Sequence, residues 1–129
     1  MNFKKLLLII IPIALLIVAY KLLTNVDRSD PVAVGTAFTK ALKSRDTGAA
    51  SKLWLPDKAE SWRVDADKYL GKMKSGATES YFERIPSAPG FTAPADRTAS
   101  STTLRSSDNS FSIDLTQTNG KWYVSKAPL

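Results

Sequence analysis

The side chains that most often perform acid–base and nucleophilic chemistry are missing from this sequence. It contains no histidine and no cysteine, which removes the usual acid–base group near neutral pH, the thiolate nucleophile and the Ser-His-Asp triad. A metal site would need carboxylates alone, and Asp65 with Asp67 is the closest pair. Two acids near a helix start are more often capping residues. Gly71 and Gly76 are isolated and form no phosphate-binding loop. We therefore expect no catalytic set, no metal and no cofactor.

The aromatic side chains are the remaining candidates for a binding site. Trp62 lies in a segment of ambiguous structure, where it either covers the mouth of a pocket or is exposed for a partner. Tyr69 and Tyr81 are candidates for lining a pocket, with core packing as the alternative for each. Trp54 and Trp122 are predicted to be core residues. Trp62, Tyr69 and Tyr81 are therefore the candidate pocket or partner surface.

The charge of the chain does not indicate a nucleic-acid partner. The full sequence has a formal charge of +6, whereas residues 30–129 contain 14 Lys and Arg against 11 Asp and Glu, a net charge of +3. The loose basic clusters at 40–45 and 68–74 are predicted to be solvated helix faces, with attraction to lipid phosphates as the alternative. Scattered charges of this kind lack the basic stripe that nucleic-acid binding needs.

An apolar segment precedes the rest of the chain. Leu6–Leu23 has 18 positions and is apolar except for Lys21, which is close to the roughly 20 residues that cross a bilayer. Lys4 and Lys5 precede it. The alternative is a cleaved signal peptide, but no clear small-x-small cleavage site follows the segment.

We therefore expect residues 1–23 to be a membrane anchor, with membrane lipid contacted by residues 6–23. Residues 24–29 form a linker, and residues 30–129 form one small domain. The flanking positive charge favours an amino terminus in the cytoplasm only slightly. The expected location is a bacterial inner membrane, with the domain on the periplasmic side, and the alternative is secretion after signal cleavage.

The first part of the domain has helical patterns. Asp30-Pro31 is a favourable helix start, because Asp caps free N–H groups and Pro suits the first helical position. One apolar face follows at helical spacing, formed by Val34, Ala37, Phe38, Ala41 and Leu42, and the helix is predicted to end near Ser44. Asp46 is expected to cap a second helix that stops before Pro56. A third helix, capped by Asp65 or Asp67, is predicted to continue through Met73 with Tyr69 facing inward.

After residue 78 the sequence changes from helical patterns to patterns typical of strands and loops. Glu79–Ile85 is rich in aromatic and branched residues and is predicted to be a strand. The proline-rich stretch 86–96 is predicted to be a loop. Thr98–Arg105 is predicted to be a strand of low hydrophobicity, and Ser106–Asn109 a turn.

The end of the chain carries a hairpin signal. Alternation of apolar and polar residues over 111–116 predicts a strand that is buried on one face. Asn119-Gly120 is typical of a two-residue hairpin turn, and Lys121–Lys126 is the expected last strand. Helices followed by an antiparallel meander predict an α+β fold, with the helices packed on one face of the sheet.

A set of apolar, capping and turn residues lies between Pro31 and Lys126: Phe38, Ala41, Leu42, Asp46, Ala50, Leu53, Gly120, Trp122 and Val124. In these residues the chain resembles the nuclear transport factor 2-like superfamily. It is similar to the small bacterial envelope proteins of this superfamily that carry an amino-terminal anchor. The resemblance implies two to three helices packed on a curved antiparallel sheet in a cone-like fold.

This superfamily also hosts isomerases and dehydratases that use Asp and Tyr in the cone. Asp114 alternates with the apolar residues of its strand and is expected to point to solvent. We therefore expect a membrane-tethered, non-enzymatic interaction or scaffold domain with a homodimer or envelope-protein partner. The alternative is a small-molecule binding module that uses the cone-shaped pocket, and an enzyme ranks third.

Overall fold

Helices precede a three-stranded antiparallel sheet in the computed structural model, which describes residues 26–73, 75–96 and 98–128. The elements of these residues are α1 (Pro31–Lys43), α2 (Thr47–Ser51), α3 (Ala59–Lys72), α4 (Ser75–Glu83), β1 (Ser101–Arg105), β2 (Ser112–Thr118) and β3 (Lys121–Lys126). The predicted α+β class is confirmed. The predicted membrane segment lies outside the described residues, and within them no helix has the length and apolar character of a membrane span.

Helix α1 begins and ends where its sequence signals predict. The Asp30 carboxylate accepts a hydrogen bond from the Val32 N–H at 3.0 Å, and Pro31 is the first helical residue. Val34, Phe38 and Leu42 are fully buried. Their spacing of four residues places them on one side of the helix, so this side is the one that packs on the sheet.

Helix α2 is shorter than predicted. Asp46 caps it as expected and accepts a hydrogen bond from the Ala49 N–H at 2.9 Å, but the helix ends at Ser51 rather than beside Pro56. The following residues pair with the edge of β3. The Leu55 N–H donates to the Val124 carbonyl at 3.1 Å, and the Val124 N–H donates to the Leu53 carbonyl at 2.8 Å. These bonds to the sheet end the helix early.

Helix α3 begins six residues before the predicted cap at Asp65, at Ala59. Asp65 and Asp67 therefore lie inside the helix, and the prediction that one of them caps it is wrong. Trp62 and Ala66 are the buried residues of α3, and their four-residue spacing is the helical signal that the cap-based prediction missed. Tyr69 is 53% exposed, so the prediction that it faces inward is also wrong.

The segment predicted as a strand at 79–85 is mostly helical. Helix α4 covers Ser75–Glu83, and the buried residues Phe82 and Ile85 are three positions apart, which fits one side of a helix turn. The Lys43 ammonium donates hydrogen bonds to the carbonyls of Phe82 and Ile85. A cation at carbonyls near a helix C-terminus is favourable, so a contact from α1 supports the helix here.

The sheet has the order β1-β2-β3, and neighbouring strands are antiparallel. Asn119 and Gly120 join β2 to β3 with φ angles of 53° and 75°, which confirms the predicted hairpin turn. The proline-rich stretch 86–96 contains no helix or strand in its described residues, as predicted. The buried side chains of the sheet are Leu104, Ile113, Leu115, Trp122 and Val124.

Helix α1 approaches this buried face closely. A Cβ atom placed on Gly35 would lie 2.6 Å from Leu104 Cδ1 and 3.1 Å from Ile113 Cδ1. Both neighbours are almost completely buried. Glycine therefore allows α1 to cross the sheet at this distance.

Candidate functional site

Trp62 lies in the hydrophobic core. Its side chain is 8% exposed and stacks on Trp54 with ring centroids 5.2 Å apart and an interplanar angle of 23°. Phe38 of α1 lies 5.7 Å from the Trp62 ring centroid. These rings fill the space beneath α1, so Trp62 serves the packing of α3 against α1.

The indole side chains of the core tryptophans make no hydrogen bonds within the described residues. The indole nitrogens of Trp54, Trp62 and Trp122 are buried, and none of them has an acceptor among the described residues. A buried donor without a partner costs roughly 1–3 kcal/mol. The rings are therefore held by apolar and aromatic contacts, which must outweigh that cost.

Tyr81 lies on α4, and Tyr69 lies near the end of α3. Tyr81 is partly buried, and its hydroxyl donates a hydrogen bond to the Pro128 carbonyl at 3.1 Å. Burial, with a smaller contribution from the charge of Tyr69, raises the pKa of Tyr81 to about 12. The structure therefore leaves Tyr69 exposed and Tyr81 partly buried, whereas the third candidate, Trp62, faces the core.

The basic cluster at 40–45 has structural roles. Lys43 binds the carbonyls near the end of α4. The Arg45 guanidinium lies over the Phe82 ring, 4.7 Å from its centroid, which is a cation–π contact. Both residues attach α4 to α1, so they are not simply the solvated charges that the sequence predicts.

A surface depression runs along the side of α1 next to its buried side. We call it the α1 groove, and it has a volume of about 650 Å³. The residues that line it are Val26, Asp27, Asp30, Val32, Ala33, Thr36, Ala37, Lys40, Ala41, Ser44, Asp46 and Ala49. Val32, Ala37 and Ala41 are partly buried and pack against the core. Val26 links the groove to the residues that follow the predicted anchor.

The α1 groove was not predicted from the sequence. Ala33, Ala37 and Ala41 recur every fourth residue, and this spacing is the signal that indicates a continuous strip of small side chains. Ala37 and Ala41 were instead assigned to the same apolar face as Phe38. The structure separates a face of large residues from an adjoining strip of alanines.

The outer face of the sheet is polar. Asp114 faces away from the core, as predicted, and accepts a hydrogen bond from the Thr103 hydroxyl at 2.7 Å. These two residues line a shallow depression of about 380 Å³ together with Arg105 and Lys126. Ala127 and Pro128 are the apolar residues of this depression, and its other lining residues are polar or charged.

Several carboxylates of the described part stabilise local structure. Asp30 and Asp46 cap helices. Hydrogen bonds from the Ser106 and Ser110 hydroxyls lower the pKa of Asp108 to about 2. No group of three or more potential metal-ligating side chains occurs within the described ranges. A second depression of about 650 Å³ lies between residues 55–58 and the β2–β3 hairpin, and charged and polar residues form most of its lining. The α1 groove is the candidate binding surface, since alanines and valines form much of its lining.

Comparisons with known proteins do not assign the chain to a family. No family model, curated protein or solved structure matches it. The resemblance to the nuclear transport factor 2-like superfamily therefore stays a prediction.

Proposed function

We propose that the chain is a membrane-tethered, non-enzymatic interaction domain that binds a partner protein in the α1 groove. The observation that carries this proposal is the contrast between a filled interior and an open apolar groove on the surface. We also infer that the helices and the sheet form the cone-like fold of the nuclear transport factor 2-like superfamily. The order of helices followed by an antiparallel meander, and the close crossing at Gly35, support that inference.

The filled interior favours a surface site over an internal pocket. A small-molecule module needs a concave, largely enclosed pocket. Between α1 and the sheet, Phe38, Leu115 and Trp122 have no exposed surface. The stacked rings of Trp54 and Trp62 occupy the space beneath α1. These large side chains take the volume that a ligand of the cone would need.

The position of the α1 groove suits a partner in the membrane. Val26 lines the groove and lies three residues after Leu23, the predicted end of the anchor. Three residues span at most about 10 Å. The Val26 end of the groove would then lie within about 10 Å of the end of the anchor, within reach of a segment of another membrane protein that emerges beside it.

Site-specific photo-crosslinking in cells that make the full chain tests this proposal. The crosslinker replaces either Thr36, an exposed residue of the groove, or Thr118, an exposed residue of β2 outside it. We expect one crosslinked membrane protein of defined mass from position 36, and at least tenfold less product from position 118. Ala37→Arg should reduce the position-36 product at least tenfold, and Ala37→Ser should preserve it.

Two results would contradict the proposal. Equal crosslinking from positions 36 and 118, or crosslinking that Ala37→Arg does not reduce, would show that the groove is not the contact surface. A small molecule retained by the full chain in native mass spectrometry would instead support the binding-module alternative.

A further inference from the structure

We infer that two copies of the chain form a two-fold symmetric dimer by pairing their β1 strands, antiparallel to each other, along the open edge of the sheet. This pairing joins two three-stranded sheets into one sheet of six strands. It uses the backbone of β1 and no residue of the α1 groove, so it does not depend on the proposed function.

The backbone of β1 turns alternate residues toward β2. The Ser106 N–H donates to the Phe111 carbonyl, and the Gln117 N–H donates to the Ser100 carbonyl, both at 2.8 Å. Hydrogen-bonded and non-bonded residue pairs alternate along an antiparallel ladder. The register of the two strands is uniform, so the even-numbered residues of β1 bond to β2 and the odd-numbered residues point the other way.

The outward N–H and C=O groups belong to Ser101, Thr103 and Arg105, and we call them the β1 edge. All three residues are exposed, and their outward groups have no backbone partner within the described part of the chain. The next outward N–H along the chain, that of Ser107, donates to the Pro89 carbonyl at 2.9 Å. The β1 edge therefore ends at Arg105.

The opposite edge of the sheet, along β3, is covered. The N–H groups of Trp122 and Val124 donate to the carbonyls of Arg28 and Leu53 at 2.8 Å, and the Val124 carbonyl accepts from the Leu55 N–H at 3.1 Å. An open edge strand is a template for another strand, and proteins often blunt it with proline or a bulge. Strand β1 contains no proline and pairs with β2 without a bulge, so its edge is ready to pair.

The β1 edge is complementary to a second copy of itself. A two-fold axis at Thr103 places this residue opposite its own equivalent and Ser101 opposite Arg105 of the second copy. Each of these three pairs exchanges two hydrogen bonds, so every group of the edge is used. A shift of one residue would instead set outward groups against groups already bonded to β2. Because the β3 edge is covered, assembly closes at two copies.

The side chains of β1 fit the same pairing. Residues directly opposite each other in a sheet point to the same face. Thr103 therefore meets Thr103 of the second copy on the polar face, and threonine pairs of this kind are favourable. Leu104 of each copy stays on the buried face, where it is 1% exposed in one copy alone. The polar and apolar faces of the two sheets are thus continuous.

Charge favours the antiparallel arrangement. Arg105 is the charged residue of β1. In the antiparallel pair the two Arg105 positions are four residues apart along the strands, about 13 Å, which exceeds the Debye length of about 8 Å at physiological ionic strength. A parallel pair in register would place the two arginines side by side, which is unfavourable.

Disulfide crosslinking in cells that make the full chain tests the inference, and the natural sequence has no cysteine that would interfere. Thr103→Cys should link two copies under mild oxidation. Bonded antiparallel residues have Cα atoms about 5.5 Å apart, within the range of about 4.4–6.8 Å that a disulfide spans. Thr118→Cys, at an exposed position of β2, is the control and should give at least tenfold less product. Non-reducing electrophoresis measures the band at twice the mass of the 14.1 kDa chain.

Two further cysteines test the register. Ser101→Cys alone and Arg105→Cys alone should each give at least tenfold less dimer than Thr103→Cys, because equivalent positions lie about 13 Å apart along the pair. Cells that make both variants should form the disulfide between Ser101→Cys of one copy and Arg105→Cys of the other.

Thr103→Pro separates the pairing from the fold of one copy. The Thr103 N–H points away from β2, and proline is tolerated at such edge positions, but it removes a donor that the second copy needs. This change in both copies should lower the mixed disulfide between positions 101 and 105 at least tenfold and preserve the native tryptophan fluorescence. Thr103→Val keeps the N–H and should preserve the disulfide.

Several results would overturn the inference. Equal dimer from positions 103 and 118, or from 101 alone and 103, would exclude the antiparallel register. No dimer from position 103, or a disulfide from it to a different protein, would exclude a second copy as the occupant. A folded Thr103→Pro chain with an undiminished mixed disulfide would exclude the backbone pairing. The pattern of single cysteines decides the question even where the proline variant does not fold.

Discussion

The interior of this domain and its surface are stabilised by different forces. In the interior, Phe38, Trp54 and Trp62 make ring contacts, while the two indole N–H groups have no acceptor within the described part. At the surface, the carboxylates of Asp30, Asp46 and Asp108 accept hydrogen bonds at helix starts and turns. Packing therefore fixes how the layers fit together, and carboxylates fix where the elements begin and turn.

Helix α1 shows this division within a few residues. Phe38 is fully buried and touches two tryptophan rings, whereas the neighbouring Ala37 lines the groove. Large side chains on one side attach the helix to the domain. Small side chains on the adjoining side leave room for another chain segment.

The largest expected effect is the loss of an interior ring. Phe38→Ala should lower the free energy of unfolding by about 3–5 kcal/mol, because it removes a buried aromatic side chain and leaves a cavity. Urea unfolding of the full chain in detergent micelles, followed by tryptophan fluorescence, measures this change. Ala37→Ser is the matched control and should change the free energy of unfolding by less than about 1 kcal/mol. Similar losses for the two variants would remove the distinction between the two sides of α1.

A smaller effect is expected from a single added methyl group. Gly35→Ala should destabilise the fold by about 1–3 kcal/mol, since its Cβ would lie 2.6 Å from buried Leu104 in a core with little space. Gly71→Ala is the control in α3, where an added Cβ meets nothing within 4 Å, and should stabilise the helix by roughly 0.5–1 kcal/mol. Thermal unfolding of both variants measures the opposite signs. A stabilising Gly35→Ala would mean that α1 does not pack so tightly on the sheet.

The smallest expected effect concerns the surface and depends on pH. Asp108 accepts hydrogen bonds from the Ser106 and Ser110 hydroxyls at 2.6 and 2.7 Å, and its pKa falls from 3.8 to about 2. A lowered folded-state pKa stabilises the fold above the unfolded value. This contribution is lost as the pH falls from about 4 through about 2.

Asp108→Asn keeps an acceptor oxygen and removes this titration. The stability advantage of the natural chain over the variant should shrink across that pH interval, and carbon-13 NMR of the carboxyl group should locate its pKa. Stability curves that stay parallel between pH 6 and 2 would show that the serine hydroxyls do not favour the charged carboxylate.

The sequence predicts those elements of the fold that have local signals. Asp30-Pro31, Asp46 and Asn119-Gly120 each fix a helix start or a turn through their own side-chain or backbone preferences. The predicted strand at 79–85 is wrong because Phe82 and Ile85 pack as one side of a helix turn, supported by Lys43. The predicted end of α2 is wrong because Leu53 and Leu55 bond to β3. Both errors concern partners that are distant in the sequence.

The candidate site was harder to predict than the fold. Trp62 is a strong apolar signal, but its type does not distinguish a core ring from an exposed one, and the structure buries it. The alanines of α1 are a weak signal, because small side chains suit both a buried helix face and a groove. A groove is a property of the space between elements, so residue patterns alone do not indicate it.

The contacts of Arg28 determine how a pulling force on the residues before Val26 would enter the domain. The backbone carbonyl of Arg28 accepts a hydrogen bond from the backbone N–H of Trp122 at 2.8 Å. Its guanidinium donates to the Lys52 carbonyl at 2.8 Å and lies over the Tyr123 ring. Tension on the residues before Val26 would reach these contacts before it reached α1. The contacts of Arg28 with β3 and with Lys52 would then break first. The packing of α1 on the sheet would not bear the force until those contacts were lost.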